Sequence, residues 1–229
     1  MKKLVVIGAT AFLEIKTIID DINNISPKYE VIGILDDNLD IQSQEIGGVP
    51  VLGTLLDVNK FPEEVNFVFA IGSYKSRILR YNILKKLQLR RERFETIIHP
   101  SVKIYSSSIL GYGCVIHPNV VIFNNTIIED FVFVLPNTII GAYNHIYEGA
   151  LITSLVSTTV NVKVGPYSHI GTGSIIAEGK KVGAGAQVAM GSQVFRNIPN
   201  GVFSFGNPAK FLGKEDVPDE IIKIMEKSN

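Results

Sequence analysis

From Ile98 to Val194 an aliphatic side chain returns every sixth residue: Ile98, Ile104, Leu110, Ile116, Ile122, Ile128, Val134, Ile140, Ile146 and Ile152, then Val164, Ile170, Ile176, Val182, Val188 and Val194, with Thr158 the single break. A helix repeats near 3.6 residues and a strand near 2, so a strict six predicts short parallel strands separated by turns. Four residues after each aliphatic stands a residue that is nearly always small, such as Ser108, Cys114, Ala150, Ser168 or Ser192. If three steps make one triangular coil, residues eighteen apart stack, the aliphatics fill the interior, and only small side chains fit at the corners. The pattern predicts a parallel β-helix of roughly five coils, whose repeats bury their core only by stacking.

Before the hexads the pattern changes. Residues 2–8 read as an apolar strand closing on Gly8, an amphipathic helix follows from about Ala11 to Ile22, and Glu30 to Leu35 reads as a second strand ending at Asp36-Asp37. This β-α-β start, with a glycine turn after one strand and carboxylates after the next, is how a doubly wound domain meets a nucleotide. Gly8-Ala9-Thr10-Ala11-Phe12 supplies one glycine where a dinucleotide fingerprint has three, which narrows the expectation to a single nucleotide. Asn66 to Ile71 reads as a further strand with Gly72-Ser73 as its exit turn, and Tyr74 to Gln88 as a helix carrying Lys75, Arg77 and Arg80. Lys75 and Arg77 follow the glycine turn, where freed N–H groups would also face a phosphate. Pro218 to Lys227 reads as a short terminal helix covering an open solenoid end or a neighbouring subunit.

Bulk properties prune the alternatives. The 229 residues allow one large or two modest domains, and 22 basic against 22 acidic residues give no electrostatic reason for a nucleic-acid or membrane partner. No apolar run reaches the roughly 18 residues of a spanning helix. Cys114 is the only cysteine, so no intrachain disulfide forms, nothing points to secretion, and the expected place of action is the cytoplasm. The thiol sits at a small-residue corner and reads as packing. His99 and His117 lie eighteen apart, each before a proline, and read as a repeated turn element; no metal site is expected.

The hexads, Ile170-Gly171-Thr172-Gly173 and Gly206-Asn207-Pro208-Ala209-Lys210 resemble the left-handed β-helix acyltransferases of the hexapeptide-repeat family. The order Leu-Asp-Asp, Ile-Gly-Gly-Val-Pro-Val-Leu-Gly, Ala-Ile-Gly and Ile-His-Pro before the hexads is similar to one branch, the acetyltransferases of nucleotide-linked amino sugars and of the sialic-acid pathway. The resemblance implies a Rossmann-like nucleotide-sugar domain over residues 1–95, an acetyl-CoA-binding β-helix over 96–212, a helical tail over 213–229, and a homotrimer with active sites between subunits. It further implies that Asp36 and Asp37 meet the base or ribose, and that Gly8, Ala9, Thr10, Gly72 and Ser73 line the diphosphate and uridine. For coenzyme A it implies Val160, whose N–H would hold the oxyanion, together with His169, Gly171, Gly173 and Lys210.

The family's base is a histidine two residues past a hexad aliphatic, and the register puts it at Ala142; a second family histidine falls on Leu151. Three nearby side chains are candidates to compensate: Asn144 at a corner, to orient the amine; His145, with an imidazole suited to proton transfer; and Glu148, which shares the corner only if the register is off by one strand. Loss of the histidine favours an amine acceptor, since an amine is partly neutral near pH 7. The resemblance therefore implies N-acetylation of a nucleotide-linked, UDP-4-amino-deoxy type sugar. The alternatives are a sialic-acid-type O-acetyltransferase and a trimer that binds nucleotide sugar without catalysis.

Overall fold

The computed structural model describes residues 1–72 and 77–227. Five strands open the chain: β1 (Lys2–Ile7), β2 (Tyr29–Leu35), β3 (Glu45–Ile46), β4 (Val49–Gly53) and β5 (Asn66–Phe69), in sheet order β3-β4-β2-β1-β5. β1, β2, β4 and β5 run parallel, and only the β3–β4 hairpin is antiparallel. Helix α1 (Phe12–Ile25) buries Phe12, Ile15, Ile18 and Ile19 on one stripe. Helix α2 (Arg77–Leu87) covers the other side of the sheet. Gly8 has φ +88°, and a Cβ there would lie 2.3 Å from Ile71 Cγ1, which is why the turn after β1 demands glycine.

From Ile97 onward the chain is a left-handed parallel β-helix of two-residue rungs. The first face stacks rungs 97–98, 115–116, 133–134, 151–152, 169–170 and 187–188; the second stacks 103–104, 121–122, 139–140, 157–158, 175–176 and 193–194; the third stacks 109–110, 127–128, 145–146, 163–164 and 181–182. Every pairing joins residues eighteen apart, as the period requires. The inward rung residues form one core with the small corner residues Cys114, Ala150 and Ala186.

From Ser107 to Gly191 every corner turn places its third residue at positive φ: Asn119, Asn125, Asn137 and Asn161 among others, and glycine at 113, 149, 173, 179, 185 and 191. Asparagine and glycine tolerate this region at least cost. The residue before it directs its N–H away from the ladder, so prolines at 100, 118, 136 and 166 remove no bond.

The nucleotide-type domain sits on the first face. Outward Ile97, Val115, Phe133 and Leu151 share a core with Leu4, Val6, Phe12, Ile15 and Val68. Beyond Gln187 the stack continues into an antiparallel pair, Val202–Phe205 with Lys210–Lys214. Helix α3 (Asp219–Lys227) buries Ile221 against Tyr167 and Ala184, with Ile78 and Tyr81 of α2 alongside. The tail therefore braces α2 against the coil stack, a partner that the sequence did not suggest.

Candidate active site

The first element of the site is a cleft of about 380 Å³ at the carboxyl ends of β1, β2 and β5, lined by Thr10, Asp36, Asp37, Leu55, Leu56 and Ile71 on one side and by Leu79, Asn82, Ile83, Lys86 and Leu87 of α2 on the other. Open α/β sheets bind ligands at this end of their strands. Asp36 Oδ2 accepts the Ala9 N–H at 2.7 Å and Oδ1 accepts that of Asn38 at 2.8 Å. Asp37 Oδ1 accepts the Leu55 N–H at 2.9 Å. A carboxylate thus fills the glycine turn where a phosphate was expected.

The remaining nucleotide-side candidates divide. Thr10 faces the cleft, whereas Gly72 packs against the β-helix, where a Cβ would come within 2.9 Å of the Phe133 ring. Ser73 and Lys75 lie outside the described residues. Arg77, expected beside a phosphate, is buried instead: its Nε donates to Gly185 O at 3.3 Å and its guanidinium pairs with Glu215, which also accepts from Gln187 Nε2 at 3.1 Å.

The second element is the corner between the second and third faces. Ala142 sits at the second position of its turn, and Val160 one coil on at the equivalent position, 43% exposed. The N–H of Val160 has no acceptor among the described residues, while its carbonyl accepts from Gly179. Ile139, Tyr143, Ile175 and Phe195 add exposed apolar surface along the second face and this corner.

His145 begins the rung that leaves this corner. Its Nε2 lies 2.7 Å from Glu129 Oε1, and its ring stacks on Tyr147 with centroids 3.8 Å apart and planes 9° apart. A carboxylate only accepts, so Nε2 is the donor of this bond, and since Glu129 and Tyr147 both follow third-face rungs, the ring leans toward the corner between the third and first faces. Glu129 is fixed in turn by the Glu148 N–H on its other oxygen, 3.1 Å. An imidazole oriented by a carboxylate is an arrangement that proton transfer can use.

Asn144 does not face outward. It is 1% exposed, with Nδ2 donating to Thr158 Oγ1 at 2.6 Å and Oδ1 accepting the Val162 N–H at 2.6 Å. Its amide is consumed inside the coil, so the expected contact with an acceptor is replaced by a packing role. Glu148 belongs to the corner between the third and first faces, since the register holds. It is buried there, accepting from Tyr167 Oη at 2.6 Å and pairing with Arg91 at 2.7 Å. That ion pair joins the domains, so Glu148 is neither surface nor base.

Of the residues expected at the cofactor, His169 lies instead on the first face beside Arg77, away from the corner of Ala142 and Val160; burial and the guanidinium push its pKa down to about 4, so the ring is neutral at pH 7. Gly171 and Gly173 form the next turn, Gly173 with φ +72° and open space where a side chain would project. Lys210 lines a separate cleft of about 350 Å³ with Phe195, Arg196, Pro208 and Ala209. Two cations beside an exposed aromatic ring suit a phosphorylated adenosine. Arg196 occupies the same turn position as Ala142 three coils further along, roughly 14 Å at the usual strand spacing. That eighteen-residue relation to Ala142 was present in the sequence and was missed. Among the described residues, no group of three or more His, Cys, Asp or Glu side chains could hold a metal ion.

Comparison with known proteins agrees with this geometry. Residues 3–84 match the PglD N-terminal domain family. No curated protein matches the chain. Among solved structures, the acetyltransferase domain of PglB from Neisseria gonorrhoeae is 27% identical over 93% of this chain and 100% of its own, with a TM-score of 0.78. The same domain in complex with acetyl coenzyme A gives 26% identity, 92% and 99% coverage, and a TM-score of 0.79. The chain shares the fold of these acetyltransferase domains along nearly its whole length. A histidine-to-asparagine mutant of perosamine N-acetyltransferase from Caulobacter crescentus, in complex with CoA and GDP-perosamine, shares the fold at 23% identity, covering 93% of this chain and 97% of that one, with a TM-score of 0.77. No helix of the described residues is long and apolar enough to cross a membrane.

Proposed function

We propose that the chain is an acetyl-CoA-dependent N-acetyltransferase acting on the amine of a nucleotide-linked sugar, of the UDP-4-amino-deoxy type, in the cytoplasm. The observation that carries this is the pairing of a nucleotide-type cleft with a coil corner that bears an open N–H and, three coils away, a cationic cleft. The amine nitrogen attacks the thioester carbonyl, an N–C bond forms as the C–S bond breaks, and the sulfur leaves as the thiolate of coenzyme A. The Val160 N–H receives the developing negative charge on oxygen. His145, on the rung that leaves this corner, takes the proton released by nitrogen through bridging water, with Glu129 stabilising the imidazolium.

Asp36 closes the glycine turn with its own carboxylate. The cleft accordingly takes the nucleoside end, with Asp37 and the free lone pairs of Asp36 accepting from ribose hydroxyls or a base N–H, and the diphosphate points outward. The reacting corner is the vertex opposite the first face, which the chain's own nucleotide domain covers. A sugar held in one cleft thus reaches a corner on a neighbouring copy, and the exposed apolar side chains of the second face support a homotrimer. Loss of the histidine at Ala142 favours an amine over the hydroxyl of an O-acetyltransferase, because alignment alone is worth roughly 10⁵–10⁸ M in effective molarity to a nucleophile that is already partly neutral.

The test is incubation with acetyl-CoA and a panel of UDP-, GDP- and dTDP-linked amino sugars while free thiol is followed. Turnover confined to amine acceptors is the expected result. Turnover of hydroxyl acceptors alone, or of none, overturns the reading.

A further inference from the structure

Helix α2 has two working faces. Leu79, Asn82, Ile83 and Lys86 line the cleft, while Arg77, Arg80, Tyr81 and Leu84 turn toward the coils, each set at the i, i+3, i+4, i+7 spacing of one helical face. What the second face grips is unusual. In each coil turn the carbonyl of the positive-φ residue takes no part in the backbone ladder. Arg80 is wholly buried and donates to two such carbonyls in adjacent coils, from Nη1 to Gly149 O at 2.8 Å and from Nη2 to Phe131 O at 2.6 Å, with its guanidinium 4.7 Å from the centre of the Phe133 ring. Arg77, one helical turn earlier, takes Gly185 O from the same column and is held by Glu215 of the tail.

A fully buried guanidinium that answers to carbonyls is an expensive way to fasten a helix, since burial, only partly offset by Tyr167, Cys114 and Glu148, lowers its pKa to about 10. Apolar contacts would secure the seam more cheaply. Carbonyls repeating at coil spacing do what apolar contacts cannot, because they fix the helix at one register along the stack.

We propose that Arg80, together with the Arg77–Glu215 pair, is a positioning element that sets the nucleotide cleft in register with the coils, so that a sugar is delivered to the acetyl group only when it arrives attached to its nucleotide. The inference rests on the transferase reading given above. Arg80 touches no substrate and acts through α2.

The experiment uses the full chain and compares two acceptors: the nucleotide-linked amino sugar turned over fastest in the panel, and the methyl glycoside of the same sugar. The wild type, R80K and R93K are assayed with both. Arg93 is the matched control, a buried arginine that donates to Pro62 O and Val65 O within its own domain and so does not span the seam. R80K is expected to lower the kcat/KM ratio of nucleotide-linked over free sugar at least tenfold, with glycoside turnover and binding of the free nucleoside diphosphate unchanged. R93K is expected to leave the ratio alone. If R80K does not fold, E215Q, which removes the charge that an exposed carboxylate sets against Arg77, is expected to lower the ratio about threefold. An unchanged ratio, or a parallel loss for both acceptors in R80K and R93K, overturns the proposal. A wild type that acetylates nothing overturns the transferase reading itself and takes this inference with it.

Discussion

Asn144 Nδ2 donates to Thr158 Oγ1 at 2.6 Å inside the coil stack, and Thr158 Oγ1 in turn receives the Gly141 N–H at 3.2 Å. The one hydroxyl on an aliphatic rung and the one carboxamide at a small-residue corner are thus a single buried feature, lying beside the turn that carries Ala142. T158V leaves one amide N–H unpaired and is expected to cost about 1–3 kcal/mol in urea denaturation. N144A also abandons the Val162 N–H and is expected to cost more than T158V, while folded N144A keeps kcat/KM within about threefold of the wild type.

His145 is expected to behave as a base. H145Q should lower kcat by roughly 10²-fold near neutrality, and the deficit should shrink as pH rises and the amine loses its own proton. E129Q should show a smaller loss with the same pH trend. A thiol-release assay across pH checks both, and a pH-independent deficit would mean that His145 serves only to pack on Tyr147.

His117 gives the stack a defined weakness to acid. It is 5% exposed, and burial, reinforced by neighbouring His99, lowers its pKa to about 4 from the usual 6.5. The unfolded chain therefore binds the proton more readily than the folded one, so the stability contributed by the neutral ring is complete above about pH 6.5 and is lost as pH falls toward 4. The difference is on the order of 3 kcal/mol. Thermal melts of the wild type should steepen in that window, and those of H117N should flatten.

Cys114 is expected to be chemically silent. It is fully buried at its corner, and burial pushes the thiol up to about 12. A thiol reagent should label it only after denaturation; rapid labelling of the native protein would contradict the corner packing.

The proposal of a site shared between subunits predicts complementation. D37A disables the cleft and H145Q the corner, and each homo-oligomer is expected to be nearly inactive. Hetero-oligomers formed by co-expression should regain measurable turnover, because some subunit pairs then carry one intact cleft facing one intact corner.

The coil stack was legible because its period leaves little freedom: inward aliphatics and small corners each answer to one geometric demand. The strands and cleft carboxylates of the first domain were legible for the same reason, since apolar runs closing on Gly8 and on Asp36-Asp37 mark strand ends. What the sequence hid were the partners of charged groups. Arg77 and Arg80 read as a basic helix face, yet burial against a column of carbonyls is decided by where α2 lands on the stack. Asn144 read as a polar group aimed outward, because its inward partner, Thr158, is fourteen residues away on another face. Glu148 read as a candidate for the reacting corner, because nothing local announces that Arg91 and Tyr167 close over it.

The register of eighteen also limits how this chain tolerates change in length. A deletion or duplication of one whole coil preserves which residues look toward the first domain and which look away. An indel of six would rotate everything beyond it by a third of a turn, carrying the reacting vertex under the cover of the chain's own nucleotide domain and exposing the apolar docking face to water. Natural length variants of this architecture, and engineered ones, should therefore be viable in steps of full coils and fail at the intermediate steps.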